Sequence, residues 1–534
     1  MFQKLKLFAL VCVVPCFGFN LDEMSLEEKV GQLLMVHFHG EVANEDAKIL
    51  IQETKVGGII YYNWSNGLSS PEQVHTLSSG LQKLARESRT SIPLLIAADQ
   101  EGGLVVRLTR GFTIFPGNKA LGMTGESRLA ELAALCMGEE MKAVGINMNL
   151  APVVDINCNP KNPVIGIRSF GEVPETVVAF GEKALRGYKE AGIIGTLKHF
   201  PGHGDVEVDS HEDLPVIHKS IEQLEQVELL PFRKLAPLAD AIMTAHLMVP
   251  ALDPDNCVTL SKKAHSYLRE KIAFQGLIVS DSLVMEGVLK KCHSVDEAAL
   301  QTLEAGCDML ILGGKQLIGS HANLELTVAD IQRIHASLVK AVKSGRVSEA
   351  RINEAVQRVL KLKERYVAPV AFEAFSTYTK QHPAVAQKIA SLALRVIEKK
   401  KVKLHEKTIA LIAPQLLKES IDQASLLKIG KQRQLFFFNG LSPSAAEIES
   451  LQQSVQATDV VVFFSYNAWK NPSQALLIQS LLDKGKQLIL LVTRDSLDGT
   501  LFPQADMIYN TFGPTLPSIQ AVCDRLELYT NPNK

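Results

Sequence analysis

The densest run of chemistry-bearing residues is KHFPGHGDVEVDSHEDLP, residues 198–215, where three histidines stand among five acidic residues. Three readings fit such a run. It is a solvated polar loop, a metal site drawing on His199, His203 and His211, or a catalytic loop carrying a His–Asp dyad. The spacing lacks HExxH or any regular ligand repeat, which weakens the metal reading. An imidazole beside a carboxylate can give and take a proton near neutral pH, which favours the dyad. Gly202 and Gly204 suggest a pliable loop that swings His211 inward when ligand binds.

Three further motifs carry charged groups. GLIVSDSLVMEGV, residues 276–288, sets Asp281 at the end of an apolar run. A carboxylate there either closes a hydrogen-bond network or acts as a nucleophile. IAADQEGGLVVRL, residues 96–108, holds Asp99 and, eight positions later, Arg107. NPVIGIRSFG, residues 162–171, holds Arg168 between apolar neighbours. Carboxylates mixed with guanidinium and ammonium groups suit a polyhydroxylated ligand, and phosphate also fits Lys198, Arg107 and Arg168.

These residues need elements to hold them. Eight short apolar runs cover residues 33–38, 57–62, 93–100, 145–155, 195–202, 241–248, 276–283 and 309–314. Their interiors are nearly continuous in Ile, Val, Leu, Met and Ala, as in strands buried on both faces. Helical patterns lie between them. SLEEKVGQLL opens with Ser25 and Glu28 at capping-box spacing. SRLAELAALCMGEEMKAVG stops at Gly145 and PETVVAFGEKALRGYKEAG stops at Gly192. Strands alternating with helices in this way predict a (β/α)8 TIM barrel over residues 21–370. Sites of such barrels sit at the C-terminal strand ends. Asp99, Asp155, Lys198, His199, His246 and Asp281 all fall there.

Residues 371–400 read as a linker and one helix. Residues 401–534 read as a smaller α/β/α three-layer sandwich of flavodoxin type, with strands over 408–414, 434–439, 460–466, 488–494 and 507–512. Its first strand is followed by IAPQLLKES, without a Gly-rich phosphate loop, which argues against nucleotide binding there.

Lys+Arg 56 against Asp+Glu 58 leaves a net charge of −2, so no basic excess points to nucleic acid. Residues 1–20 have the layout of a secretory signal peptide: Lys4 and Lys6, then an apolar run over 7–14, then Gly18 as a cleavage position. Pro15 disfavours Cys16 as a lipid-bearing first residue. The protein is therefore expected to be exported, to the periplasm or the exterior. No later run is long enough for a membrane span. The six cysteines beyond the leader form no CxxC pair and read as buried free thiols.

With these pieces assembled, the chain resembles glycoside hydrolase family 3 in its β-N-acetylglucosaminidase branch. The matching motifs are SLEEKVGQLLMVHF, ADQEGGLVVRL, GINMNLAPVVDI, IGIRSFG, KHFPGHGDVEVDSH, AIMTAHLMVP, GLIVSDSLVMEGV and AGCDMLI, in family order over residues 25–312. KHFPGHG followed by DSH marks the branch. PQADMIYNTFGPT, residues 503–515, is similar to the sandwich domain of longer, exported members. The resemblance implies retaining hydrolysis of terminal β-linked N-acetylglucosamine, with peptidoglycan fragments as the source. It implies Asp281 as nucleophile, His211 as general acid/base and Asp209 as the partner that orients its imidazole. Asp99 matches the carboxylate that holds sugar hydroxyls. Arg107, Arg168, Lys198 and His199 match the other sugar-binding positions. No cofactor and no metal are called for; the partner is an N-acetylglucosamine-containing saccharide, not nucleic acid. Val284, Met285 and Glu286 differ from the family pattern at the rim. Three alternatives stand beside this reading: a β-glucosidase or β-xylosidase of the wider family, an N-acetylglucosaminide phosphorylase, and a non-catalytic sugar-binding protein.

Overall fold

The computed structural model describes residues 19–210, 213–316, 324–368, 371–400, 402, 404, 407–424 and 432–527. The leader over 1–18 lies outside them.

Eight parallel strands form one ring: β1 (Leu34–Val36), β2 (Gly58–Ile60), β3 (Leu95–Ala98), β4 (Met148–Asn149), β5 (Ile194–Phe200), β6 (Ala241–Thr244), β7 (Leu277–Ser280) and β8 (Leu310–Leu312). Each pairs with the next, and β8 returns to β1, with Leu34 opposite Leu310. Val279 of β7 bridges Met309, just before β8, which closes the barrel. Every residue of these strands is buried. Helices cover the outside and side chains fill the inside, so a continuous apolar run is what each strand requires. Seven of the eight expected runs contain their strand, and the fifth strand starts at Ile194, one residue before its expected run. Helix α1 (Leu26–Gly31) starts with the Ser25–Glu28 capping box in place. Helices α2 (Arg128–Ala143) and α3 (Pro174–Ala191) pack on each other outside β4 and β5.

The sandwich domain holds β9 (Arg395–Glu398), β10 (Thr408–Pro414), β11 (Gln432–Phe438), β12 (Val460–Ser465), β13 (Gln487–Val492) and β14 (Met507–Asn510). The five parallel strands run in the order β11-β10-β12-β13-β14. That is the 2-1-3-4-5 order of flavodoxin-like folds. Separate apolar cores cover its two faces, one around Leu411, Val462 and Leu491, the other around Ile412, Phe463 and Leu490.

Residues 371–400 contain the expected helix, α4 (Phe375–Ala393), but not only that. Arg395–Glu398 is a sixth strand, antiparallel to β14 with Arg395 opposite Asn510. Three of its four residues are exposed, because it is an edge strand. Its four residues, RVIE, hold a single apolar pair that does not stand apart from the helical pattern before it. Helix α4 joins the two domains, packing on α2 and on α5 (Leu516–Glu527). His382 of α4 lies between Glu140 (2.8 Å) and Glu139 (3.2 Å) of α2. A short hairpin of Gln100–Gly102 and Val105–Val106 follows β3, and its tip residue Leu104 packs on the sandwich core. Among the described residues no disulfide joins the six cysteines; Cys158 is half-buried and the others are buried. No described helix is long and apolar enough to cross a membrane.

Candidate active site

The strand ends deliver charged groups to the C-terminal mouth of the barrel. Asp99 directly follows β3, Lys198 and His199 lie within β5, and Asp281 directly follows β7. Lys198 Nζ donates to Asp99 Oδ1 at 2.9 Å and meets Glu101 Oε1 at 2.7 Å. Arg107 donates to Asp99 Oδ2 at 3.1 Å. Arg168 grips Glu101 with two bonds, Nε to Oε2 at 3.0 Å and Nη2 to Oε1 at 2.8 Å. The result is an alternating ladder: Arg107, Asp99, Lys198, Glu101, Arg168. Lys198 and Glu101 are almost fully buried, while Arg107 and Asp99 are open to the cavity.

Electrostatics keep the ladder ionised. Burial alone would raise the Asp99 pKa, but Lys198 and Arg107 outweigh it and hold the carboxyl well below its usual range. At Glu101 burial is likewise opposed, by Arg168 and Lys198, and the pKa falls to about 2. Burial would strip the proton from Lys198; Asp99 and Glu101 reverse that and raise its pKa above the ordinary value. Such an array offers fixed donors and acceptors to hydroxyl groups without reorganising.

His199 is oriented from behind. Its Nδ1 lies 2.7 Å from Asp155 Oδ2, and Asp155 Oδ1 accepts the backbone N–H groups of His199 (3.0 Å) and His203 (2.7 Å). Asp155 is fully buried, and although burial opposes it, His199 keeps its carboxyl ionised. The Nδ1 proton therefore faces Asp155, and Nε2 is turned toward Arg168 Nη2 at 3.5 Å.

The first half of the 198–215 loop is held at several points, while the expected swing of His211 falls on residues outside those described. A Cβ at Gly204 would stand 1.6 Å from the Ile156 carbonyl oxygen, so glycine serves close approach there. Asn162 donates to the His203 carbonyl at 2.9 Å, and Asn159 to that of Val206 at 3.3 Å. His203 and His199 are engaged by Ser210 and Asp155, and burial lowers the His203 pKa to about 4, so its ring is neutral. Farther along, the Gly287 N–H donates to the Ser210 carbonyl at 3.2 Å, and Asp213 pairs with Lys290 at 2.7 Å. Asp209 lines the cavity. His211 lies outside the described residues.

Asp281 receives the Ser282 N–H on Oδ1 at 2.7 Å, while its own N–H donates to the Thr244 carbonyl at 3.1 Å. His246, fully buried, steadies the following turn: its Nε2 lies 2.9 Å from the Ser282 carbonyl and its Nδ1 2.9 Å from Thr259 Oγ1. Beside Asp281 the cavity wall is apolar and aromatic, with Tyr62, Trp64, Met243 and Met285. Tyr62 and Trp64 stack at 5.3 Å, and the Arg107 guanidinium lies 5.5 Å from the Tyr62 ring centre. Burial, with Asp99 and Asp281 nearby, keeps the Tyr62 hydroxyl protonated far above its usual range.

One cavity of about 530 Å³ thus brings together Asp281, Asp209, Asp99, Arg107, Arg168, Lys198 and His199, all of the expected site residues among those described. That volume is typical of a small-molecule site. Glu101, Tyr62 and Trp64 are added by the structure, and Asp155, already expected at a strand end, gains a place behind His199. Glu101 stood inside a quoted motif, and its acidic type was the available signal; Tyr62 and Trp64 follow β2 with no local mark of function.

Residues 25–362 match the glycosyl hydrolase family 3 N-terminal domain. A β-hexosaminidase A of Pseudoalteromonas piscicida is 34% identical over 366 residues, covering 65% of this chain and 60% of that protein, so the chain spans less than two thirds of that relative. A β-hexosaminidase of Pseudomonas aeruginosa is 33% identical over 305 residues, covering 56% of this chain and 86% of that one. The solved family 3 β-N-acetylglucosaminidase of Paenibacillus sp. str. FPU-7 superposes with a TM-score of 0.85 at 35% identity, over 95% of this chain and 97% of the other. The barrel, the acidic groups at its mouth and the match across residues 25–362 make this chain a member of glycosyl hydrolase family 3.

Proposed function

We propose that this glycoside hydrolase is a retaining exo-β-N-acetylglucosaminidase that is exported and acts on peptidoglycan fragments. The observation that carries the reading is the placement of Asp281 and Asp209 on one cavity with the charged ladder. The named activities of the two bacterial relatives and of the Paenibacillus enzyme support it. The leader over 1–20 supports export.

In this reading Asp281 attacks the anomeric carbon and forms a covalent glycosyl-enzyme. His211 protonates the departing glycosidic oxygen, then takes a proton from the incoming water. Asp209, two positions away, fixes the imidazole tautomer, as a carboxylate does in hydrolytic triads. Imidazole titrates near neutrality, so the same group serves as acid and base without the raised carboxyl pKa that a second carboxylic acid would need. The ladder holds the sugar hydroxyls, and Tyr62 and Trp64 offer apolar faces to its C–H groups.

The test compares p-nitrophenyl N-acetyl-β-glucosaminide with the glucoside, in buffer with and without inorganic phosphate. The expected result is preference for the N-acetylated substrate and release of free sugar in both buffers. Asp281→Ala and His211→Ala should each lose about two to four orders of magnitude in kcat/KM. Preference for the glucoside, or release of sugar 1-phosphate, would replace the reading by one of its alternatives.

A further inference from the structure

Three donor side chains meet at the seam where the barrel closes, to one side of the catalytic cavity. His37 directly follows β1, and His39 lies two positions on, a spacing that turns both side chains to one face of an extended chain. Glu325 lies beyond β8, the strand paired with β1, and forms an antiparallel bridge with Lys315. One ligand atom from each of His37, His39 and Glu325 lies within 4.8 Å of the other two. His37 Nε2 is 3.2 Å from Glu325 Oε1, and His39 Nε2 contacts the same oxygen. His37 is buried and His39 is exposed, so the cluster has a walled inner side and an open outer side.

We propose that His37, His39 and Glu325 bind a divalent transition-metal ion of the zinc class, which clasps the Lys315–Glu325 bridge to the end of β1. Two imidazoles and a carboxylate are a familiar zinc donor set, and the open side leaves room for water as a fourth ligand. Magnesium and calcium favour all-oxygen shells, so the two nitrogens select against them. The position gives the ion a role. The His37 ring meets Trp64 edge-on at 5.0 Å, Trp64 lines the catalytic cavity, and so do Lys315 and Gln316 on the clasped segment. The ion therefore braces the cavity rim, while the ladder and Asp281 carry the chemistry proposed above.

The experiment strips the full-length protein with a chelator and titrates it with zinc chloride. A single equivalent should bind and raise Tm, and cobalt(II) should give the visible absorption of a four-coordinate site. His39→Ala and Glu325→Gln should each weaken zinc binding by at least about 100-fold, since loss of mere supporting groups around a metal already costs about 10–100-fold. Both variants should keep the metal-free Tm of the parent, which separates lost ligation from lost folding. His211→Ala should keep the equivalent, which separates this cluster from the catalytic loop. Failure of the parent protein to bind zinc would overturn the proposal. So would binding that survives in both cluster variants, or that disappears in His211→Ala.

Discussion

His203 Nε2 lies 3.1 Å from Ser210 Oγ, so the residue between Asp209 and His211 is tied to the rigid start of its own loop. The tie gains force from what surrounds it. His203 is fixed through its backbone by Asp155 and Asn162, and Ser210 accepts the Gly287 N–H from the segment after Asp281. Ser210 is thus referenced to both the β5 loop and the β7 loop.

Ser210→Ala removes the His203 contact and leaves the fold intact. We expect kcat on p-nitrophenyl N-acetyl-β-glucosaminide to fall about 10-fold with KM nearly unchanged, because small misplacements of a catalytic group can cost up to about 100-fold. Steady-state kinetics decide it. A raised KM at unchanged kcat would mean that Ser210 serves substrate binding instead.

Glu101 is the buried acidic rung of the ladder, gripped by Arg168 and Lys198. Glu101→Gln leaves two buried cations short of a partner. Breaking a buried ion pair from one side costs about 3–5 kcal/mol. The urea midpoint of the barrel should fall accordingly at pH 7, and KM should rise. The pH sign follows from the lowered pKa. The folded value is about 2 against the usual 4.5, so the stabilisation is complete above about pH 4.5 and is lost as pH falls through 2. The gap between wild type and Glu101→Gln should therefore stay constant from pH 5 to 7 and narrow only in stronger acid.

His382 behaves in the opposite sense. Burial would push its imidazolium toward neutrality, but Cys136, Glu139 and Glu140 overrule it and raise the pKa to about 11 from 6.5. The contact stabilises the docking of α4 fully below about pH 6.5 and loses force as pH rises toward 11. The Tm difference between wild type and His382→Gln should be largest near pH 6 and shrink steadily through pH 9 and 10. A difference that does not change with pH would mean that His382 docks as a neutral ring.

Much of the fold was legible because a barrel strand buried on both faces has one sequence solution, an apolar run, and the polar residue that ends it is the one at the mouth. Asp99, Lys198, His199 and Asp281 were found that way. Four of the five parallel sandwich strands are buried and were found by the same rule, while the edge strand β11 showed itself by its apolar end, LFFF. β9 was missed because its four mostly exposed residues, RVIE, run on directly from the helical pattern of α4. The ladder was only half visible. Glu101 pairs with Arg168 across 67 positions, and no local spacing announces a partner that the barrel alone brings near. Gly204 illustrates a different limit: sequence shows that glycine is present, but only the Ile156 carbonyl shows the close approach that requires it. His37 and His39 gave no signal without Glu325, which reaches them through the closing of the ring.

Trapping the covalent intermediate decides whether Asp281 is the nucleophile. In His211→Ala, a dinitrophenyl N-acetyl-β-glucosaminide needs no acid to leave, while the following hydrolysis lacks its base, so the glycosyl-enzyme should accumulate. Mass spectrometry of the digested protein should then show the peptide containing Asp281 heavier by one N-acetylglucosaminyl residue, and azide should discharge it as the β-glycosyl azide. A label on a different carboxylate, or an α-glycosyl azide formed with no labelled peptide, would contradict the account.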